Sequence, residues 1–98
     1  MNVVIIYDIE PIANNNNFRS FLQKNSYYRG WSSSGDNYYL PTSAIYEINT
    51  ELAAAKSKFL SICDRYNVEN PGNQVKLNRL IILPATDWEG ITGIDNKV

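Results

Sequence analysis

One carboxylate, Asp8, follows an apolar run that begins at Val3, near the start of this 98-residue chain. A carboxylate at the end of a buried strand can hold a hard cation such as Mg2+ or Mn2+, with water as most of the other ligands. A cation held in this way can activate water for phosphodiester cleavage. Asp8 is therefore the candidate metal ligand and catalytic residue. The sequence leaves open a second interpretation, in which Asp8 caps backbone amides in a turn before Pro11.

A second copy of the chain would change what Asp8 can do. One carboxylate rarely makes a metal site, but a two-fold axis beside the first strand would bring a second Asp8 next to the first. Two carboxylates so placed repel each other, and each pKa rises unless a cation neutralises them. The metal hypothesis therefore includes a homodimer.

A second group of candidate residues combines aromatic rings with a positive charge. The segment contains Tyr27, Tyr28, Arg29 and Trp31, followed by Tyr38 and Tyr39. Aromatic faces near a cation stack on the bases of single-stranded nucleic acid, so Arg29 and Trp31 are the candidate contacts to RNA or DNA. Hairpin strands also use aromatic residues as cross-strand pairs, and this alternative stays open. Lys76 and Arg79, near the last apolar run, could add phosphate contacts.

Composition excludes several classes of function. The nine basic and ten acidic residues give a net charge of -1, so the broad positive field typical of non-specific duplex binding is missing. The chain has no histidine, which excludes histidine-based triads and histidine metal ligands. Cys63 is the only cysteine, which excludes an internal disulfide and indicates a reducing, cytoplasmic location. The first apolar run is too short to span a membrane, so we expect no membrane association.

The first half of the chain predicts a strand, a helix and a hairpin. Val3 to Tyr7 is apolar on both faces, as in a central strand, and Asp8 closes it. A short helix from Phe18 to Lys24 follows the run of asparagines. Residues 26–42 are dense in tyrosine, serine and glycine and predict a long hairpin, whose returning strand covers residues 43–48. In that strand Ala44, Tyr46 and Ile48 share one face, which we expect to point into the core.

The second half predicts one long helix and a final strand. Apolar residues recur at steps of three and four from Leu52 to Tyr66, behind a cap at Asn49 or Thr50. Leu77 to Leu83 is the last strand, bounded by Pro84. Residues 84–98 are expected to form an irregular tail, in which Trp88 would dock on a partner subunit.

Together these elements predict an α+β fold of ferredoxin-like order, β-α-β-β-α-β. Residues 1–98 would form a single domain with one four-stranded antiparallel sheet and both helices on one face. The other face of the sheet would be bare unless a partner covers it, which favours a homodimer.

Two short motifs resemble the CRISPR-associated protein two superfamily, and within it the SinR-like free-standing small proteins. They are residues 3–9, a hydrophobic strand ending in Tyr-Asp, and residues 42–48, a serine followed by a hydrophobic strand. The resemblance implies a ferredoxin-like homodimer in which the residue matching Asp8 lies near the two-fold axis. In some members of the superfamily that aspartate supports metal-dependent cleavage of RNA or DNA, whereas other members bind nucleic acid without cutting it.

Two hypotheses of function follow. The first is a dimeric endonuclease that uses Mg2+ or Mn2+ at Asp8 and contacts phosphate through Arg29. The second is a non-catalytic dimeric binding or assembly module on the same fold. A small-ligand regulatory domain is a third alternative, which ligand-induced stabilisation would reveal.

Overall fold

The computed structural model describes residues 1–93 of the chain. It contains two α-helices and five strands, with a short 3-10 helix over Ile12–Asn14. In chain order the elements are β1 (Val3–Glu10), α1 (Asn15–Gln23), β2 (Gly30–Ser33), β3 (Asp36–Tyr39), β4 (Ala44–Glu47), α2 (Leu52–Glu69) and β5 (Lys76–Pro84). The predicted α+β class is confirmed. The long helix and the last strand lie where they were predicted, whereas α1 begins three residues before Phe18, β1 continues past Asp8, and the residue before α2 is Glu51 and not the predicted cap, Asn49 or Thr50.

The main sheet is antiparallel and has the strand order β4-β1-β5. β1 lies in the middle, with Ile5 opposite Ile45 of β4 and opposite Ile82 of β5. Alternate residues of β1 are buried, from Val3 to Ile9, which is the period expected when one face of a strand meets the core. Both helices pack on this face.

The core brings both helices onto β1. The Tyr7 ring contacts Phe18 of α1 at 5.5 Å and Phe59 of α2 at 5.6 Å between ring centroids. α2 buries one stripe of residues at helical spacing, consisting of Ala55, Phe59, Ile62, Cys63 and Tyr66. Leu52, which the sequence pattern assigned to the same stripe, is 41% exposed at the first turn.

Two polar side chains in the core tie α1 to the chain before β4. The Tyr7 hydroxyl donates to Asn15 Oδ1 at 2.9 Å, and Asn15 Nδ2 donates to the Thr42 carbonyl at 3.0 Å. Arg19 is 1% exposed, and its Nη1 donates to the Pro41 carbonyl at 3.0 Å. These bonds fix the path of residues 40–42, because buried polar groups need partners.

The predicted single four-stranded sheet is wrong. The structure has a three-stranded sheet and a separate two-stranded hairpin, β2-β3. Residues 36–39 are the returning strand of this hairpin, whereas β4 pairs with β1. The hairpin meets the main sheet through one bridge, in which the Tyr28 and Tyr46 amides each donate to the other residue's carbonyl at 2.8 and 2.9 Å.

The turn of the hairpin explains why it separates from the sheet. Ser33 pairs with Asp36, so the loop is Ser34-Gly35, and both residues have positive φ, 52° and 86°. Two positive φ values in a two-residue loop indicate a type I′ turn, which favours tight, strongly twisted hairpins. A Cβ at Gly30, the first residue of β2, would collide with the Tyr38 carbonyl of the opposite strand. Local turn geometry and close pairing therefore hold β2 on β3.

The prediction that Ala44, Tyr46 and Ile48 face the core is also wrong, although Ala44, which pairs with Ile6 on the other face of the sheet, is itself buried. Ile45 is fully buried and Glu47 is 4% exposed on the helix side, whereas Ile48 is 42% exposed. Tyr46 pairs with Val4 on the face away from the helices. The sequence pattern misleads because Glu47 is a core residue whose carboxylate accepts from Lys58 Nζ of α2 at 2.8 Å.

The chain after β5 folds back on the hairpin. Pro84 is the last residue of β5, one residue beyond the predicted end of the strand, and residues 85–93 contain neither helix nor strand. The Trp88 ring packs on Trp31 at 4.9 Å and Tyr38 at 4.8 Å, so it docks on its own chain. The rest of the predicted tail, residues 94–98, lies outside the described residues. Across residues 1–93, neither helix is long and apolar enough to cross a membrane.

We predict that the fold loses stability in alkaline solution. Burial raises the pKa of Tyr7 to about 12, and it also raises the pKa of Tyr27 and Tyr66. The unfolded chain loses these protons near pH 10, before the folded chain does, so the stability they contribute is complete below about pH 10 and lost as pH rises toward 12.

Urea denaturation at about pH 8 and about pH 11 checks this prediction. Tyr7→Phe keeps the ring but removes one titrating group, so its stability should fall less steeply with pH than that of the wild type. An unchanged urea midpoint between the two pH values in the wild type would contradict the prediction.

Candidate nucleic-acid interface

Asp8 lies within β1 and forms an ion pair with Arg79 of β5. The two residues are directly opposite each other in the sheet, and Arg79 Nε and Nη2 both donate to Asp8 Oδ2, at 3.0 and 2.9 Å. The strand continues to Glu10, so Asp8 neither closes the strand nor caps a turn. The side chains are 42% exposed for Asp8 and 82% exposed for Arg79. Their pairing is therefore a surface ion pair, which is an outcome that the sequence pattern did not indicate.

In one chain, the Arg79 guanidinium competes with a metal ion for the Asp8 carboxylate. Mg2+ requires oxygen ligands in octahedral geometry, and its sites use one or two carboxylates with waters and substrate phosphates. One oxygen of Asp8 faces the Arg79 guanidinium, whose positive charge disfavours a cation. Glu10, the next acidic residue, lies 3.9 Å from the Lys76 ammonium. Within residues 1–93 there is no group of three histidine, cysteine, aspartate or glutamate residues that could hold a metal ion.

The face of the sheet opposite the helices is apolar beside Asp8. We call it the open face, and it consists of Val4, Ile6, Tyr46, Ile81 and Leu83. Ile6 is 42% exposed, Ile81 57% and Leu83 48%, and these side chains are adjacent because Ile6 pairs with Ile81 and Val4 with Leu83. A contiguous apolar patch of this kind marks an interaction surface more often than scattered residues do.

Trp31 lies in an aromatic cluster at the edge of the open face. We define the cluster as Trp31, Tyr38, Tyr46 and Trp88. The Trp31 ring is 4.8 Å from Tyr46 and 4.9 Å from Trp88, at interplanar angles of 42° and 78°. Such tilted and edge-to-face contacts stabilise aromatic pairs. The Trp31 ring therefore packs on the main sheet and on the segment after β5, and neither contact is a cross-strand pair of the hairpin, in which Trp31 lies opposite Tyr38.

Arg29 and Trp31 also line a cavity of about 390 Å3 between the hairpin and the end of α1. We call it the hairpin cavity, and its walls are Gln23, Tyr27, Tyr28, Arg29, Gly30, Trp31, Ser32, Asn37 and Tyr39. The volume is within the range of small-ligand pockets. Tyr28 is 46% exposed and offers a ring that a planar ligand could stack on.

The candidate residues thus belong to two separate places. Arg29 and Trp31 meet at the hairpin cavity, whereas Asp8 is paired with Arg79 and does not line that cavity. Sequence reasoning missed Gln23 as a cavity residue because it ends a helix that only the tertiary structure brings to the hairpin. The aromatic and basic composition of residues 27–31 was the sequence signal for this site, and all five of these residues line the hairpin cavity.

Comparisons with known proteins found no match among protein-family models, curated proteins or solved structures. The resemblance to the CRISPR-associated protein two superfamily stays a prediction that rests on the two short sequence motifs.

We predict that the Asp8–Arg79 pair contributes little to stability. Exposed ion pairs are typically worth about 0.2–1 kcal/mol, since water screens both charges. A double-mutant cycle with Asp8→Asn and Arg79→Gln, measured by urea denaturation, should give a coupling free energy below about 1 kcal/mol. A coupling above about 2 kcal/mol would contradict the surface assignment.

The Glu47–Lys58 pair supplies the matched control. Its atoms are 2.8 Å apart, close to the 2.9 Å of the Asp8–Arg79 pair, but the Glu47 side chain is only 6% exposed. Glu47→Gln should therefore destabilise the fold more than Asp8→Asn does, because it weakens a buried pair. If Asp8→Asn folds as well as the wild type, any change in its activity or binding can be assigned to the loss of the carboxylate charge.

Proposed function

We propose that the protein is a non-catalytic, dimeric module that binds single-stranded nucleic acid. The observation that carries this proposal is the pairing of Asp8, whose Oδ2 accepts two hydrogen bonds from the Arg79 guanidinium. In one chain this carboxylate is therefore paired with a side chain of its own sheet, whereas Arg29 and the tyrosines at the hairpin cavity offer groups that suit nucleic-acid binding.

The open face supports the dimer. Both helices lie on the other side of the sheet, so Ile6, Ile81 and Leu83 remain exposed to solvent in the single chain. Removing apolar surface from water contributes about 25 cal/mol for each Å2, and a two-fold axis would bury the same patch on both copies. Asp8 and Arg79 lie beside the patch and carry opposite charges, so this face is electrostatically compatible with a copy of itself.

The charge distribution supports a single-stranded ligand. The net charge of -1 provides no general attraction to a duplex. Arg29 and the exposed Tyr28 ring are neighbours in sequence and both line the hairpin cavity. A cation beside an accessible ring suits a phosphate and an unstacked base, which a single strand presents and a duplex does not.

A metal-dependent endonuclease is the second candidate function. What favours it is the position of Asp8, because a dimer formed through the open face would bring two copies of this carboxylate toward one axis. The second copy would supply the acid that one chain lacks. Mg2+ or Mn2+ is the metal expected in that case.

We predict that Ile81→Lys prevents dimer formation. A lysine at this 57% exposed position would place a charge in the apolar patch on both copies. Val68→Lys is the matched control, since Val68 is 80% exposed on α2, away from the sheet. Sedimentation velocity should show a dimer for the wild type and the control and a folded monomer for Ile81→Lys. A wild-type monomer at all concentrations would contradict the dimer.

We predict binding without cleavage. Labelled RNA, single-stranded DNA and duplex DNA, incubated with Mg2+, Mn2+ or a chelator, should stay intact, and the single strands should bind equally to wild type and Asp8→Asn. Cleavage by the wild type that disappears in Asp8→Asn would contradict the proposal and establish the endonuclease. Cleavage that persists in Asp8→Asn would be attributed to a contaminating nuclease and would be removed by further purification.

A further inference from the structure

Three polar atoms on residues of the hairpin cavity are buried without a hydrogen-bond partner among the described residues. They are Gln23 Nε2, the Tyr27 hydroxyl oxygen and Trp31 Nε1. Tyr27 is 1% exposed, and each of the three residues lines the cavity. Buried polar groups in folded proteins are nearly always paired with protein or water, so three unpaired atoms on residues that line one cavity call for an explanation.

The three atoms form a recognisable set of hydrogen-bonding groups. The amide and the indole each offer an N–H donor, and the phenol offers a hydroxyl that can donate or accept. The other polar pair in the cavity wall is already satisfied, because Ser32 Oγ donates to Asn37 Oδ1 at 2.6 Å. A ligand that suits this wall presents acceptors on the edge of a small molecule.

We infer that the hairpin cavity is a binding site for one unstacked nucleobase. This inference rests on the proposed function, and it names the part of the nucleic acid that the protein recognises. Thymine, for example, has two carbonyl acceptors on either side of an N3–H donor, which suit two N–H donors and a hydroxyl, and its flat faces suit a wall that includes Tyr28 and Tyr39. The cavity volume of about 390 Å3 is large enough for one base.

Entry of the base requires a small rearrangement. The three atoms are covered in the unliganded chain, so side chains must rotate before they reach a ligand. Gln23 ends α1 and has a long, flexible side chain that is partly exposed. Rotation of Gln23 would expose its amide to the cavity, and Arg29, which also lines the cavity, carries a charge suited to the adjoining phosphate.

The test uses variants that remove one polar group and retain the shape of the side chain. Tyr27→Phe removes only the hydroxyl, and Gln23→Met removes the amide. Ser57→Ala is the matched control, because it removes an exposed hydroxyl on α2 that does not line the hairpin cavity. The probes are a labelled oligothymidylate and an abasic strand of the same length, which keeps the phosphates but has no bases.

The expected result has two parts. In fluorescence anisotropy each of the two variants should bind oligothymidylate about three- to thirtyfold more weakly than the wild type, and the abasic strand equally well. Ser57→Ala should bind as the wild type does. The melting temperature of unliganded Tyr27→Phe should equal or exceed that of the wild type, because the variant no longer buries an unpaired hydroxyl. Damage to the fold would lower the melting temperature instead.

Failure of the inference and failure of the proposed function give different results. Unchanged oligothymidylate affinity in both variants would show that water satisfies these atoms, and would overturn the base site while leaving nucleic-acid binding intact. If the wild type binds no strand, the proposed function fails, and thymidine monophosphate becomes the probe. A thermal shift with that nucleotide that Tyr27→Phe reduces would support the cavity as a base site, whereas no shift would overturn it.

Discussion

The alternation of residues along β1 determines the rest of the molecule. β1 is hydrogen-bonded on both edges, so a single choice of face decides which side of the whole sheet meets the helices. Val3, Ile5, Tyr7 and Ile9 take the helix side, and Tyr7 contacts both helices. The Asp8 side chain therefore lies on the face of the sheet away from the helices. There it meets Arg79, because paired residues of antiparallel strands share a face.

The sequence predicted those elements whose signals are local and strong. β1, α2 and β5 follow from apolar runs and helical spacing, and each forms where the pattern placed it. The partner of β4 could not be found in this way, because pairing between distant strands depends on the whole fold. Residues 43–48 were assigned to the wrong face since Ala44, Tyr46 and Ile48 make the more apolar set. The buried partner that permits Glu47 in the core, Lys58, is on another element.

The candidate site residues were likewise predicted where the signal was local and missed where it depended on distant parts of the chain. The sequence identified Arg29 and Trp31 from composition, and both line the hairpin cavity. It identified Asp8 as well, but Arg79, the residue that pairs with this carboxylate, lies 71 residues away in the sequence. From sequence alone, a carboxylate after an apolar strand is compatible with a metal ligand. Only the structure shows that a guanidinium lies opposite it. The hairpin cavity brings together an exposed tyrosine, an arginine and three residues that each carry a buried polar atom without a hydrogen-bond partner among the described residues.

The central claim is that single-stranded nucleic acid binds at the hairpin cavity and leaves Asp8 unengaged. The most direct measurement is a heteronuclear NMR titration of isotope-labelled protein with oligothymidylate. The account predicts shifts at the Trp31 indole N–H, the Gln23 side-chain amide and the backbone amides of Tyr28 and Arg29, with little change at Asp8. Shifts concentrated at Asp8 and Arg79, with the Trp31 indole unmoved, would contradict it.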